Sequence, residues 1–211
     1  MNSFAQQFFA GWLLAVVWCT AGAVGPRPSD EVDEETGAAH EYPEVTTATK
    51  LNVIVPLFDT NLPDDPDDYE KEGVWPELRE AESSIFAIRL RDELEATGVF
   101  GAVRVTPNDE AIGELYVLGK ILKSTSEEIE LEIDVVDISG RKWLSNQKFE
   151  YRVREYDFNS PRNAGKDHYQ PVYEAIVEAI VEKLARKREK DLIELENVSD
   201  LVFARSYSNE T

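Results

Sequence analysis

Residues 127–138 constrain this chain more than any other stretch. Ile129, Leu131, Ile133 and Val135 alternate with Glu128, Glu130, Glu132 and Asp134. A period of two places the aliphatic set on one face of a strand and the carboxylates on the other, so the segment belongs to a sheet with one buried and one wet face. The turn sequence Ser139-Gly140-Arg141 follows, then a second strand over 142–156. Pairing the two strands about that turn sets Leu131 against Phe149 and Ile129 against Tyr151, with Glu132 facing Lys148 and Glu128 facing Arg152. A slip of one residue would oppose Glu130 to Phe149 and lose both charge pairs. A hairpin closed by a three-residue turn is expected.

The remaining elements build outward from this hairpin. The apolar run Leu51–Phe58 predicts an inner strand, and the loop Asp59–Trp75 is acidic. Pro76 suits the first turn of a helix running to about Thr97, with Leu78, Ala81, Ile85, Phe86, Ile88, Leu90 and Leu94 as its apolar stripe and Gly98 as its stop. Val99–Thr106 is a short strand, which makes a parallel β-α-β crossover. A strand over 114–123 opens a three-strand meander, and Asn159–Lys166 is a polar loop. Tyr173, Ile176, Val177, Ile180, Val181 and Leu184 then repeat at helical spacing, with Glu174, Glu178 and Glu182 toward water. The basic run Lys183, Arg186, Lys187, Arg188 and Lys190 falls in the last turns of this helix, where cations complement its dipole. The fold class is α/β (α+β): a mixed sheet of about five strands in β-α-β-β-β-α order, both helices on its apolar odd-numbered face, plus a C-terminal helical extension.

The N-terminus reads differently. Met1–Ala23 contains no Lys, Arg, Asp or Glu, and Phe8–Trp18 has the length of a signal-peptide core. Ala21-Gly22-Ala23 supplies a small-residue cleavage pattern. Residues 1–23 are therefore expected to be a signal peptide, 24–48 an acidic flexible linker, 49–190 a single α/β domain, and 191–211 a helical extension with a frayed tail. Cys19, the single cysteine, raises lipidation as a second reading, but the Val17-Trp18 pair ahead of it is bulkier than a lipobox wants. Cleavage after Ala23 would remove it.

Composition narrows the chemistry. With 42 acidic and 22 basic residues the net charge is -20. That field repels phosphate backbones and anionic membrane surfaces, so neither nucleic acid nor a membrane surface is an expected partner unless the N-terminus acts as an anchor. It suits a self-repelling soluble protein, a basic partner or a saline habitat. The two histidines, His40 and His168, stand apart. No nucleophile elbow, glycine-rich phosphate loop or His/Cys cluster is present, so no cofactor, catalytic residue or enzymatic activity is expected. Asp64, Asp65, Asp67 and Asp68 could offer hard oxygen ligands to Ca²⁺, although they lack the EF-hand order and Pro66 interrupts them; the ordinary role of such a run is a solvated turn. Trp75, with Glu77 and Arg79 beside it, is a candidate partner anchor, or else a hydrophobic staple packed on the first helical turn. Trp143 is open to the same two readings.

Several segments together carry a resemblance: Leu51–Thr60, Val74-Trp75-Pro76-Glu77-Leu78-Arg79-Glu80-Ala81-Glu82, Gly98-Val99-Phe100-Gly101-Ala102-Val103-Arg104-Val105, Leu115-Tyr116-Val117-Leu118-Gly119 and Asp137-Ile138-Ser139-Gly140-Arg141. They resemble a group of exported bacterial cell-envelope proteins. Their element order is similar to that of the curli-secretion lipoprotein and of the N-terminal domain of the Tol-system propeller protein. The resemblance implies a periplasmic binding or assembly module with an envelope protein partner, and it carries over no catalytic residue. Against this stand a Ca²⁺-responsive protein using the 64–70 loop and a hydrolase built on an unrecognised carboxylate pair.

Overall fold

The computed structural model describes residues 40–45, 47–153 and 167–208. The expected signal segment with Cys19, most of the expected linker and the loop Asn159–Lys166 lie outside the described residues. Strand β1, Val53–Pro56, is fully buried and sits inside a five-stranded sheet of order β2-β1-β3-β4-β5. The other strands are β2 (Val103–Thr106), β3 (Leu115–Ser124), β4 (Glu128–Asp137) and β5 (Lys142–Arg152). β1 pairs in parallel with both β2 and β3, and β3, β4 and β5 form an antiparallel meander. The sheet is thus mixed, with β1 interior, as its unbroken apolar run requires.

Pro56 brings no N–H to the ladder, and β1 pairs with β3 only at Val53 and Ile54. The chain meets β3 again at Asp59, whose N–H donates to the Gly119 carbonyl at 2.8 Å. Between these points Phe58 lies over Gly119. A Cβ there would sit 2.4 Å from the Phe58 ring, so only glycine lets the aromatic side chain settle on the strand.

The β4–β5 register follows the sequence pattern: Leu131 faces Phe149, Ile129 faces Tyr151, Glu132 faces Lys148 and Glu128 faces Arg152. Two details differ. The Lys148 ammonium reaches diagonally to Glu130 (2.9 Å) rather than across to Glu132, because Glu130 directly opposes Glu150 and the cation relieves that like-charge pair. Near the turn the register shifts twice, giving Val135–Leu144 and Val136–Lys142 pairs. Asn146 takes a positive φ of 47° in this irregular stretch, as a bulge allows. The turn is one residue earlier than expected: the Asp137 N–H donates to the Arg141 carbonyl (2.9 Å), and Gly140 occupies the left-handed position at φ 82°.

Helix α1 is a single turn, Tyr69–Glu72, and α2 spans Pro76–Ala96. Gly98, at φ 67°, ends the latter. Helix α3, Gln170–Ala185, buries Val172, Tyr173, Ile176, Val177, Ile180, Val181 and Leu184, which includes every apolar position expected of it. The α2 and α3 helices pack together over the odd-numbered face, where Ile129, Leu131, Ile133 and Val135 are fully buried. Helix α2 departs from expectation. Its inward residues are Arg79, Ser83, Phe86, Ala87, Leu90 and Leu94, while Leu78, Ile85 and Ile88 point to solvent. Ala81 is exposed as well.

The helix expected to reach residue 190 ends five residues sooner, and the expected C-terminal helix follows it directly. The α3 helix stops at Ala185, and α4 runs Glu189–Ser208. The basic run therefore crosses a break: Arg186 pairs with Glu182, Arg188 pairs with Asp191, and Lys187 Nζ stands 4.5 Å over the Trp143 ring. Leu192 and Leu195 are buried in the common core, so the first turns of α4 belong to the domain and not to an appendage. Its opening residue, Glu189, accepts hydrogen bonds from the Thr47 and Thr49 hydroxyls and from the N–H groups of Ala48 (3.2 Å) and Thr49 (2.9 Å). Upstream, Tyr42 and Val45 pack on the core and the Tyr42 hydroxyl donates to Glu93. The folded body thus takes in residues expected to be linker.

Candidate functional site

The local chain path makes Trp75 prominent. Gly73 ends α1 in the left-handed conformation (φ 65°), and the Val74 N–H returns to the Tyr69 carbonyl at 2.8 Å. Trp75 then adopts an extended conformation as the residue preceding α2, with Pro76 in the first turn. A residue before proline is held extended, which points this side chain away from the helix. It is 71% exposed. It therefore does not form the staple that a Trp at a helix start commonly forms. A cleft of about 430 Å³ lies beside it, lined by Tyr69, Glu70, Gly73, Val74, Trp75 and Pro76.

The outer face of α2 continues from Trp75. Leu78, Ile85 and Ile88 are 56%, 49% and 42% exposed, and their spacing puts them in one row along the helix. Four large apolar side chains thus share one end and one flank of the domain. Isolated exposed apolar residues are ordinary, whereas apolar residues gathered on one flank are a feature that interaction surfaces share.

The two residues singled out with Trp75 part company. Glu77 is exposed in the first turn of α2. Arg79 is 7% exposed, with its Nε 3.5 Å from Glu82 Oε2. The other Glu82 oxygen accepts from Ser124 Oγ at 2.6 Å. This chain of contacts fastens α2 to the end of β3 and leaves Arg79 off the Trp75 surface. The acidic loop sits upstream. Asp65 Oδ1 accepts the Asp67 N–H at 3.0 Å, and Asp68 pairs with Lys71, while Asp64, Asp65 and Asp67 are exposed. Among the described residues no three His, Cys, Asp or Glu side chains converge as a metal-holding group.

A second cleft, of about 500 Å³, has Leu78 in its lining. Glu82, Ser124, Thr125, Ser126, Asp167, His168 and Tyr169 complete its lining. Asp167 receives Arg89 Nε at 3.3 Å and the Tyr169 N–H at 2.9 Å, and the Tyr169 hydroxyl donates to the Thr125 carbonyl. Burial, then the nearby Glu82 and Asp167 carboxylates, push the Tyr169 phenol up from its ordinary value, so it serves as a donor. Each carboxylate of this cleft is thus held by an arginine and by one further donor. That arrangement builds a rigid wall.

Trp143 resolves the other way from Trp75. It is 6% exposed and its Nε1 donates to Asp137 Oδ2 at 3.1 Å. Burial would raise the Asp137 carboxyl, but hydrogen bonds from Ser139, Trp143 and the Arg141 backbone, with the Arg141 charge, hold it below its ordinary value.

Sequence periodicity placed the exposed row of α2 in the core because the true inward face carries Arg79 and Ser83. Two apolar sets interleave on this helix. The discriminating signal was the excess of apolar residues over what one face can hold, together with the Trp-Pro pair at its start.

No family model matches the chain, and no curated protein matches it in sequence. Among solved structures it is similar to the PelC dodecamer from Paraburkholderia phytofirmans, at 13% identity and a TM-score of 0.38, covering 67% of this chain and 94% of that one. It is also similar to a neuraminyllactose-binding hemagglutinin homolog from Helicobacter pylori, at 13% identity and a TM-score of 0.30, covering 76% of this chain and 98% of that one. Among the described residues no helix is long and apolar enough to cross a membrane.

Proposed function

We propose that this chain is a non-enzymatic, exported module of the bacterial cell envelope that binds a protein partner through Trp75 and the outer row of α2. The exposure of Trp75, Leu78, Ile85 and Ile88 along one flank carries the reading. Burying one such side chain is worth roughly 1.5–3 kcal/mol, so four together reach several kcal/mol, before the cost of association is subtracted. Tryptophan is the residue type most enriched among interface anchors, and the cleft beside it offers a partner side chain a place to insert. The export reading rests on the uncharged Met1–Ala23 segment and on the resemblance to envelope proteins.

Site-specific photo-cross-linking in the native host tests this. A photoreactive residue at position 75 or 85 is expected to give one defined protein adduct, and one at Lys120, on the opposite sheet face, is expected to give none. Absence of any adduct from positions 75 and 85 would remove the proposal.

A further inference from the structure

We infer that the partner engaging this surface is a cationic protein segment with an apolar anchor, such as a basic amphipathic helix; the inference rests on the proposed binding function of the same flank. Charge placement supports it. Around the Trp75 cleft and the row behind it, Asp64, Asp65, Asp67, Glu70, Glu77 and Glu80 are all exposed, and Glu70 lines the cleft itself. The nearby bases are taken: Lys71 by Asp68, Arg89 by Asp167, and Arg79 inside the fold with Glu82. The apolar row is therefore bordered by unmatched negative charge on the side where Trp75 projects.

Such a rim rejects an acidic or phosphorylated partner by like-charge repulsion and speeds encounter with a basic one. An apolar groove alone would accept either, so the carboxylates select while Trp75 and Ile85 supply affinity. The geometry is that of helix-in-groove recognition, in which an amphipathic partner lays apolar side chains into a cleft with its charges at the border. The same placement gives the acidic 59–72 loop a role that requires no metal.

The full-length chain should be titrated with a fluorescent lysine–leucine amphipathic peptide and with its glutamate–leucine counterpart, read by anisotropy at low and physiological salt. The cationic peptide is expected to bind and the anionic one to fail. Trp75→Ala with Ile85→Ser should weaken binding roughly tenfold or more. Asp64→Asn, Asp65→Asn, Asp67→Asn and Glu70→Gln together should weaken it several-fold and flatten its salt dependence. A control chain neutralised at Asp109, Glu110, Glu196 and Asp200, all exposed elsewhere, should bind like wild type. Equal binding of both peptides, or equal loss in the control chain, overturns the inference. Self-association of the chain that Trp75→Ala/Ile85→Ser abolishes also overturns it, in favour of a second copy. If cross-links from positions 75 and 85 form in cells while the cationic peptide does not bind, the binding surface stands and its cationic partner falls.

Discussion

Helices α2 and α3 lie on the same face of the same sheet, yet they use their apolar residues differently. In α3 the large apolar side chains form one set, from Val172 to Leu184, and all of it is buried. In α2 they form two: Phe86, Ala87, Leu90 and Leu94 face the sheet, while Leu78, Ile85 and Ile88 face water. The two tryptophans show the same contrast, with Trp143 enclosed and hydrogen-bonded to Asp137 and Trp75 projecting from the start of α2. Apolar content that a single core can absorb stabilises the fold. Content beyond that, collected on one flank, is available for binding.

The contrast breaks most sharply under truncation of the buried members. In equilibrium urea unfolding Trp143→Ala should cost about 3–5 kcal/mol and Ile180→Ala about 2–5 kcal/mol, as cavity-forming substitutions do. Losses under about 1 kcal/mol would mean that these side chains do not carry the core. Arg79→Ala, on the inward face of α2, should cost about 1–3 kcal/mol, because Glu82 loses its cation and the space is left unfilled. An unchanged denaturation midpoint would return Arg79 to the surface group.

Acid tests the Trp143 end on its own. The Asp137 carboxyl is held below its ordinary value, so its contribution is present above the unfolded carboxylate range near about 4 and is lost as pH falls through the lower folded value. Asp137→Asn should flatten that acid limb of stability against pH; an unaltered limb would assign it to other carboxylates. Smaller still is the effect expected at Tyr173, whose buried hydroxyl finds no hydrogen-bond partner among the described residues. Tyr173→Phe should be neutral or stabilising by up to about 1 kcal/mol, and a clear loss would show that the hydroxyl is engaged. Smallest of all, Trp75→Ala should change stability by no more than about 0.5 kcal/mol.

Much of this architecture was legible in the residues. The β4 alternation determined the hairpin register because a one-residue slip would invert both faces, and the single-sided α3 pattern named its inner face from Tyr173 to Leu184, missing only Val172 in the first turn. Gly98 and Pro76 set the limits of α2. What escaped is physical in origin. Arg79 and Ser83 are polar yet inward because each finds a partner, Glu82 for one and the Phe58 carbonyl for the other, and hydropathy does not register partners. The docking of Glu189 on Thr47 and Thr49 depends on hydrogen bonds between segments far apart in the chain. The second cleft joins residues from α2, the β3–β4 turn and the start of α3, which no local pattern brings together. Trp75 was visible as a candidate anchor, while its row on α2 was hidden by being mistaken for core.

The central claim is that the Trp75 flank binds rather than stabilises. The most direct measurement takes one chain, Trp75→Ala with Ile85→Ser, and records its unfolding midpoint alongside the yield of the adduct cross-linked from position 78. An unchanged midpoint and a lost adduct are expected. A lowered midpoint with the adduct intact would contradict that claim.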